Sequence, residues 1–240
     1  SIGQSNYARA RAMFSQAMIK RPTSLQSANC IVRNLPPAHL PTGPIEMIGA
    51  VTPFARNAEI YGENERVEHL YKVLKGSVRT YKLLQDGRRM IEAFYLPGDI
   101  FGFEVGDEHT LSAEAIVDCQ LCVLRRASVA ALAARDSSVA RQLCAVTVTE
   151  LQRAQNHVML LVRTARQRVT GFLLEMSKRS GDSDEINLPM SRQDIADYLG
   201  LTIETVSRSL MQLENAATIA LPSSRHIILC NRKALSRLTS

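Results

Sequence analysis

The clearest pattern of apolar and polar positions lies between Ser191 and Glu214, where two short amphipathic runs flank Gly200. Within each run the apolar residues recur at helical spacing, which is typical of a helix with one buried face. The predicted buried positions are Ile195, Ala196 and Leu199 in the first run and Val206, Leu210 and Leu213 in the second. A glycine between the runs suits the left-handed backbone with which many helices end. The segment is therefore predicted to be two helices joined by a tight turn, with Leu201 facing the core.

Side chains suited to helix capping precede both runs. Ser191 is suited to the N-cap of the first helix, and Asp194, three residues later, completes a pattern similar to a capping box. Thr202 is suited to the N-cap of the second helix. The starts of both helices are therefore predicted from local chemistry as well as from periodicity.

The solvent-facing side of the second helix carries chemistry that suits DNA. Arg208 can bond bidentately to guanine, Glu204 can accept a hydrogen bond from cytosine, and the two lie one helical turn apart. Ser207 can serve a base or a phosphate, and Ile203 can touch a thymine methyl group. The alternative is an ordinary surface pair of Glu204 and Arg208, which stabilises a helix by about 0.2–0.5 kcal/mol. The complete helix-turn-helix around the pair favours base reading.

Five further polar residues are predicted to contact DNA phosphates, because positive charge and helix N-termini both suit that ligand. Four lie near the starts of the two helices, and the fifth lies on a following hairpin: Ser191, Arg192, Thr202, Thr205 and Arg225. The hairpin is predicted from two alternating runs, Ala217–Leu221 and Ile227–Cys230. It forms a wing beside the helix-turn-helix.

Between Ala58 and Leu124 the pattern changes to short alternating runs separated by glycine-centred turns. Runs such as Leu70–Leu74 and Val78–Leu84 are predicted strands, and the Asp-Gly pair at residues 86–87 is a hairpin signal. Strands at such regular intervals predict a β-sandwich or barrel.

A long helix is predicted from residue 138 to about residue 177, with small or apolar residues at the a and d positions of a heptad. These seam positions are Cys144, Thr147, Leu151, Ala154, Val158 and Leu161. Two interpretations are open: the helix packs on its own β-domain, for which Leu160 and Val162 are candidates, or its seam pairs with a second copy.

The first 57 residues carry less information. Residues 1–22 are predicted to form a basic helix, loosely docked or frayed, and residues 22–57 a proline-rich connector. The whole chain is 45% hydrophobic, enough for two modest cores, and its net charge of +6 weakly favours nucleic acid over acidic small substrates.

The cysteines are odd in number and match no metal motif: Cys30, Cys119, Cys122, Cys144 and Cys230. Cys119 and Cys122 lie three apart on a predicted strand, so they point to opposite faces and cannot share a metal ion. All five are interpreted as buried, inert free thiols in a reducing cytoplasm.

Several other function classes find no support in the residues. His69 and His109 are isolated, and no nucleophile, phosphate loop or paired-carboxylate motif stands out, so an enzyme is not expected. No apolar run reaches the roughly 18 residues of a membrane span, and the first residues show no signal-peptide pattern. The sequence therefore predicts a cytoplasmic protein with no metal and no cofactor.

Ser191–Leu213 resembles the helix-turn-helix of the CRP/FNR transcription regulators, and Glu204-x-x-Ser207-Arg208 is similar to the signature of their FNR/FixK branch. The resemblance extends upstream to about Ala58, where the glycine spacing is similar to that of their cyclic-nucleotide-binding β-roll. It implies a parallel homodimer held by the long helix and a palindromic double-stranded DNA site with half-sites like TTGA and TCAA. It also implies contact with RNA polymerase, for which the charged turn Gln85–Arg89 is a candidate.

The chain departs from both well-known sensors of that family. In CRP, cyclic AMP is held by a Gly-Glu pair and an Arg-Ser pair. Here Gly102 and Glu104 are not adjacent and no arginine precedes Ser112, so the phosphate would lack its bidentate partner. The iron–sulfur cluster of FNR needs an N-terminal cysteine cluster, and Cys30 stands alone in that part of the sequence. The resemblance then points to the FixK-like subgroup, which has no cofactor and activates genes of microaerobic respiration and nitrogen fixation.

The predicted fold is α+β, in four parts: the N-terminal helix and connector (1–57), a β-roll (58–137), a dimerisation helix (138–165) and a winged helix-turn-helix (166–240). The predicted function is a homodimeric transcription activator that binds TTGA-N6-TCAA-like sites without a small-molecule effector. Two alternatives are a ligand-gated sensor with an unidentified effector in the β-roll, and an interaction module that does not bind DNA.

Overall fold

The computed structural model describes residues 48–239. The predicted helix over residues 1–22, Cys30 and most of the proline-rich connector lie outside the described residues. The N-terminal part is built from strands, in chain order β1 (Ala50–Phe54), β2 (Glu59–Tyr61), β3 (His69–Lys75), β4 (Val78–Leu83), β5 (Arg89–Tyr95), β6 (Ile100–Phe101), β7 (Ser112–Ala115) and β8 (Cys119–Arg125).

The elements that follow are mostly helical. In chain order they are α1 (Arg126–Arg135), α2 (Ser137–Leu161), α3 (Ala165–Arg179), β9 (Glu185–Asn187), α4 (Arg192–Leu199), α5 (Ile203–Asn215), β10 (Ile219–Ala220), β11 (His226–Leu229) and α6 (Arg232–Thr239). The predicted α+β class and its order of β-roll, long helix and winged helix-turn-helix are confirmed.

The β-roll consists of two antiparallel four-stranded sheets, with strand orders β1-β8-β3-β6 and β2-β7-β4-β5. Alternate side chains of both sheets meet in a shared core. Its aromatic members are Tyr61, Tyr71, Tyr95 and Phe101. The alternating pattern predicted such a domain because strands such as β7 bury every second residue.

Strand β8 buries both of its faces. Cys119 and Leu121 lie in the core between the sheets, whereas Cys122 and Leu124 pack against Val129 and neighbouring residues of α1 and α2. The prediction that Cys119 and Cys122 face opposite ways is confirmed. Helix α1 itself was not predicted.

The β-roll begins earlier than predicted, because β1 lies inside the segment expected to be a connector. It pairs with β8 from Ala50, opposite Val123, to Phe54, opposite Cys119. The prolines of this segment favoured irregular structure, but Pro53 lies in an edge strand. There a missing N–H does not interrupt the hydrogen-bond ladder.

Helix α2 begins with Asp136, whose carboxylate accepts from the Ser138 backbone N–H at 2.8 Å. It ends at Leu161, and Thr164 then caps α3 in a capping box with Gln167. The helix predicted to run to about residue 177 is therefore broken at residues 162–164, close to the predicted domain boundary at residue 165, because the local cap starts a new helix.

The C-terminal domain combines its helices with a three-stranded antiparallel sheet of order β10-β11-β9, and the two share one apolar core. Strands β10 and β11 form the predicted wing, but β9 and α6 were not predicted. Ile186 in β9 is 1% exposed and pairs with Ile227. A single apolar residue among polar ones does not reveal such a strand.

Candidate DNA interface

Helix α4 begins with the predicted capping box. The Ser191 hydroxyl accepts from the Asp194 backbone N–H at 3.1 Å, and Asp194 Oδ2 accepts from the Ser191 backbone N–H at 2.9 Å. The helix ends at Gly200, which has a left-handed φ of 61°. Because local bonds set both ends of α4, the turn into α5 has a defined geometry.

Helix α5 begins at Thr202, whose Oγ1 accepts from the Thr205 backbone N–H at 3.2 Å. Ser209 belongs to the buried face, and its hydroxyl donates to the Thr205 carbonyl at 2.8 Å. The predicted apolar stripe of this face is also buried: Val206, Leu210 and Leu213. One side of α5 is therefore fully used for packing, and the other is free for a partner.

The predicted base-reading residues lie on that free side. Glu204, Arg208 and Ile203 are exposed, and Ser207 is half-buried. Hydrogen bonds from its own backbone N–H and from the Thr202 hydroxyl lower the pKa of Glu204, so the carboxylate is ionised at the positive end of α5. Within residues 48–239 no ion pair joins Glu204 to Arg208, so both charged groups remain available to bases.

Most of the predicted phosphate contacts border this face. Thr202 and Thr205 lie at the start of α5, with their hydroxyl oxygens 3.1 Å apart. Arg192 donates to Ser207 Oγ at 3.3 Å and so links the first turn of α4 to the reading face. Arg225 lies half-buried just before β11, at the wing.

Ser191 is placed differently from the other predicted phosphate contacts. Its hydroxyl also donates to Asp194 Oδ2 at 2.8 Å. The positive end of α4 therefore already faces a carboxylate, which in turn accepts from Arg79 and Arg89 of the β-roll. Ser191 thus serves the internal cap of α4, and its contact with a DNA phosphate stays a prediction.

Two family models match the chain in the order of these domains. A cyclic nucleotide-binding domain matches residues 51–136, and a Crp-like helix-turn-helix domain matches residues 167–238. Over 206 residues the chain is 50% identical to the nitrogen fixation regulation protein FixK of Azorhizobium caulinodans, with 83% of each protein covered. The chain belongs to the CRP/FNR family and is FixK-like.

Further relatives agree with this assignment. The nitrogen fixation regulation protein FixK of Rhizobium meliloti is 40% identical over 201 residues, which cover 83% of this chain and 92% of that protein. The solved structure of FixK2 from Bradyrhizobium japonicum is 48% identical, with a TM-score of 0.76, and the match covers 80% of this chain and 98% of that one. The protein is thus a DNA-binding transcription regulator of the CRP/FNR type.

The β-roll of this CRP/FNR protein contains a groove of about 370 Å³ beside α2. Aromatic rings line it together with three carboxylates, Glu92, Glu104 and Glu150, and the described part of the chain places no cationic side chain in its wall. Ser112 is used internally, since its hydroxyl accepts from the Glu63 backbone N–H at 3.0 Å. A cyclic phosphate would therefore meet negative charge here without a bidentate partner.

The predicted seam of α2 lies on the surface of the single chain. All six of its positions are exposed: Cys144, Thr147, Leu151, Ala154, Val158 and Leu161. Val148, Met159 and Val162 add further exposed apolar surface that the heptad did not single out. Leu160 is buried, but in the core of the C-terminal domain, and Val162 is 76% exposed. This corrects the interpretation that these two residues pack on the β-roll, whereas the pairing of the seam with a second copy stays a prediction.

Sequence reasoning missed the charged residues that connect the β-roll to the helix-turn-helix. Arg89 Nε donates to Asp197 Oδ2 at 2.8 Å, across 108 positions of the chain. Arg79 Nη1 donates to Asp194 Oδ1 at 3.0 Å. Asp194 was predicted only as part of a helix cap. No local motif marks the contacts between these residues, because the partners lie in different domains.

The thiols divide into two kinds. Cys119 and Cys122 are buried as predicted, whereas Cys144 and Cys230 are exposed, which corrects the expectation of a buried role for these two. Cys144 is exposed because it lies on the uncovered side of α2. Across residues 48–239 no group of three or more His, Cys, Asp or Glu is arranged to hold a metal ion, and no helix is long and apolar enough to span a membrane.

Proposed function

We propose that this regulator is a homodimeric activator that binds palindromic sites similar to TTGA-N6-TCAA without a small-molecule effector. The exposed face of α5 carries the proposal. Each TTGA half-site contains one G·C pair, and Arg208 and Glu204 are the side chains that suit guanine and cytosine. We propose genes of microaerobic respiration and nitrogen fixation as its targets, because the relatives in Azorhizobium and Rhizobium are nitrogen fixation regulators.

A second copy of the chain would cover the apolar side of α2 and present two α5 helices to DNA. Successive major grooves on one side of the duplex place half-sites about 34–36 Å apart. Arg192, Thr202 and Thr205 border the reading face, and together with Arg225 on the wing they would hold the phosphates on either side.

The lining of the β-roll groove supports action without an anionic effector, because it has carboxylates where such an effector would need cations. For RNA polymerase, the exposed residues 85–88 of the β4–β5 turn remain the proposed contact, whereas Arg89 is engaged by Asp197.

A selection from a randomised DNA pool with purified, ligand-free protein tests this proposal. We expect enrichment of one palindrome with TTGA-like half-sites, which would report the half-site, the spacing and effector independence together. Enrichment that requires an added small-molecule extract would instead favour the ligand-gated sensor. The absence of any enriched sequence under both conditions would favour an interaction module that does not bind DNA.

The dimer can be tested with the chain's own thiols. Cys144 occupies an a position, so in a parallel seam the two copies face each other across the interface. Mild oxidation should therefore give a disulfide-linked dimer on a denaturing gel, and Cys144→Ser should remove it. Cys230→Ser is the matched control, because Cys230 is also exposed but lies in the C-terminal domain. A linked dimer that survives Cys144→Ser would place the interface elsewhere.

A further inference from the structure

The β4–β5 hairpin of the β-roll packs directly on the C-terminal domain. Ile91 and Phe94 of β5 are buried in the same apolar cluster as Phe172 of α3 and Tyr198 of α4. The Phe94 ring centroid lies 5.1 Å from that of Tyr198 and 6.2 Å from that of Phe172. The contact is therefore a packed core between the domains, which leaves α4 little freedom to move on the β-roll.

Ion pairs surround one edge of this core. Arg79 Nη1 and Arg89 Nη2 both donate to Asp194 Oδ1, at 3.0 Å and 2.5 Å, and Arg89 Nη2 lies 2.7 Å from Asp197 Oδ2. Arg79 is also paired with Glu114 at 2.8 Å. Asp194 is 4% exposed, so its charge is held by hydrogen bonds instead of water. We call the four residues Arg79, Arg89, Asp194 and Asp197 the clasp.

The carboxylate of Asp194 has two roles at once. Its Oδ2 closes the capping box of α4, and its Oδ1 accepts from the clasp arginines. Burial alone would raise its pKa, but the hydrogen bonds from Ser191 and the charges of Arg79 and Arg89 outweigh burial and lower it. The start of α4, the first helix of the helix-turn-helix, is thereby bonded to strands β4 and β5 of the β-roll.

A second ionic contact holds the same domain at the other side of the core. Asp99, beyond the end of β5, accepts from Arg153 of α2 at 2.8 Å and from Arg179 of α3 at 2.6 Å. The C-terminal domain is thus attached at the start of α4 and at the end of α3. Two separate attachments restrict rotation of the domain more than one attachment can.

The clasp does not cover the reading face. Glu204 and Arg208 stay exposed while Arg89 contacts Asp194 and Asp197. Helix α5 follows α4 through the tight turn at Gly200, so whatever orients α4 also orients α5. The β4–β5 hairpin shares a groove with the first turn of α5, lined by Arg89 and Met90 on one side and by Thr202–Thr205 on the other. This arrangement suits a device that aims the reading helix.

We propose that the clasp sets the orientation of α5 relative to the β-roll, and thereby the half-site spacing that the dimer accepts. Arg89 and Asp197 are positioning residues in this proposal, because they are paired with each other between the domains and neither lies on the reading face of α5. The proposal rests on the proposed function of palindrome binding by a dimer. A rigid pair of reading helices accepts one spacing, whereas a loosely attached pair accepts several with lower affinity.

The test uses Arg89→Gln and Asp197→Asn, since both residues are only partly buried and the capping carboxylate of Asp194 stays in place. The matched control is Arg88→Gln, because Arg88 lies in the same hairpin but pairs with Asp86 and is 78% exposed. Affinities are measured for a series of palindromes whose half-sites differ in separation by single base pairs. For each protein, the affinities for all spacings are measured on the same sample and only their ratio is compared. An unfolded fraction lowers all of these apparent affinities by the same factor, so it does not change the ratio.

Wild type and Arg88→Gln should prefer one spacing, and Arg89→Gln and Asp197→Asn should reduce that preference on the order of tenfold. Arg89→Lys, which keeps the charge without the guanidinium fork, should restore part of it. An unchanged spacing ratio in Arg89→Gln would overturn the proposal, and tighter binding at every spacing would overturn it in favour of an inhibitory contact. If wild type itself shows no palindrome binding, the proposed function fails, and that result is distinct from either outcome.

Discussion

Helices α2 and α5 each leave one face uncovered in the single chain, but the two faces differ in chemistry. On the seam side of α2 the exposed side chains are mostly apolar, with Leu151 and Val158 58% and 61% exposed. On α5 the exposed side chains include the charged Glu204 and Arg208, beside the apolar Ile203 and Met211. Contiguous exposed apolar surface is typical of a contact with another protein chain. Charged side chains that are not paired with each other, such as Glu204 and Arg208, can instead hydrogen-bond base edges in the major groove. The two exposed faces therefore suit two different kinds of partner.

The largest expected effect comes from placing charge in the apolar face of α2. Leu151→Glu with Val158→Glu should give monomers, because four carboxylates would be buried in the seam of a dimer. Binding to the palindrome should then fall by about 10²–10⁴-fold, since the second half-site no longer binds intramolecularly. Molecular mass in solution and palindrome affinity are the measurements.

The matched control adds the same charge to the same helix away from the seam. Gln152 and Asn156 are exposed and hydrogen-bonded to each other at 3.1 Å. Gln152→Glu with Asn156→Glu should stay dimeric. Dimers of equal stability in both double variants would show that this face of α2 is not the interface.

The second effect concerns the charged face of α5. Arg208→Ala should cost about 1–3 kcal/mol of DNA-binding free energy and relax the choice at the guanine of each half-site. Gln212→Ala, near the end of the same helix and also exposed, should keep the wild-type preference. The measurement is affinity for the selected palindrome and for variants of it with the G·C pair replaced. Equal discrimination by wild type and Arg208→Ala would remove Arg208 from base reading.

A smaller effect separates phosphate contacts from base contacts. Arg225→Gln should weaken binding to all sequences alike and reduce the slope of log affinity against log salt by about one unit. Arg125→Gln changes the net charge equally but lies at the exposed end of β8 in the β-roll, so its slope should match wild type. Identical slopes for Arg225→Gln and wild type would exclude a phosphate contact on the wing.

The smallest effect concerns the covered side of α2. His157 Nε2 donates to the Tyr198 carbonyl at 2.7 Å, and the two rings stack 3.9 Å apart. Burial lowers the pKa of His157, against smaller raising effects of the Tyr198 carbonyl and Glu92. The unfolded chain therefore binds a proton at higher pH than the folded chain does. This histidine should reduce the free energy of unfolding as pH falls below about 6.5.

His157→Gln should consequently show a shallower loss of stability than wild type between about pH 7 and pH 5. The quantity to compare is the difference in free energy of unfolding between the two proteins at equal protein concentration. Glu150 and Glu175 change this stability with pH in the opposite direction to His157, and the difference between the proteins cancels their contribution. Burial raises the pKa of both of these carboxylates. Parallel stability curves for the two proteins would show that His157 is not the titrating group.

The helix-turn-helix could be predicted closely from the sequence because its signals are local. The cap at Ser191, the left-handed Gly200 and the cap at Thr202 lie within 12 residues and set the start, turn and restart of the unit. Strands β1 and β9 could not be predicted in this way. Pro53 conceals an edge strand, and Ile186 is one buried residue between two polar neighbours.

By itself, the sequence determined the reading unit, the alternation of the β-roll and the apolar side of α2, because each depends on spacings within one element. Only the tertiary structure decided which charges meet across the domains. Arg89 reaches Asp197 and Asp194, 108 and 105 positions away, and the Asp194 carboxylate that caps α4 is thereby also bonded to the β-roll. Such pairs depend on how whole domains pack, and no local propensity encodes that packing.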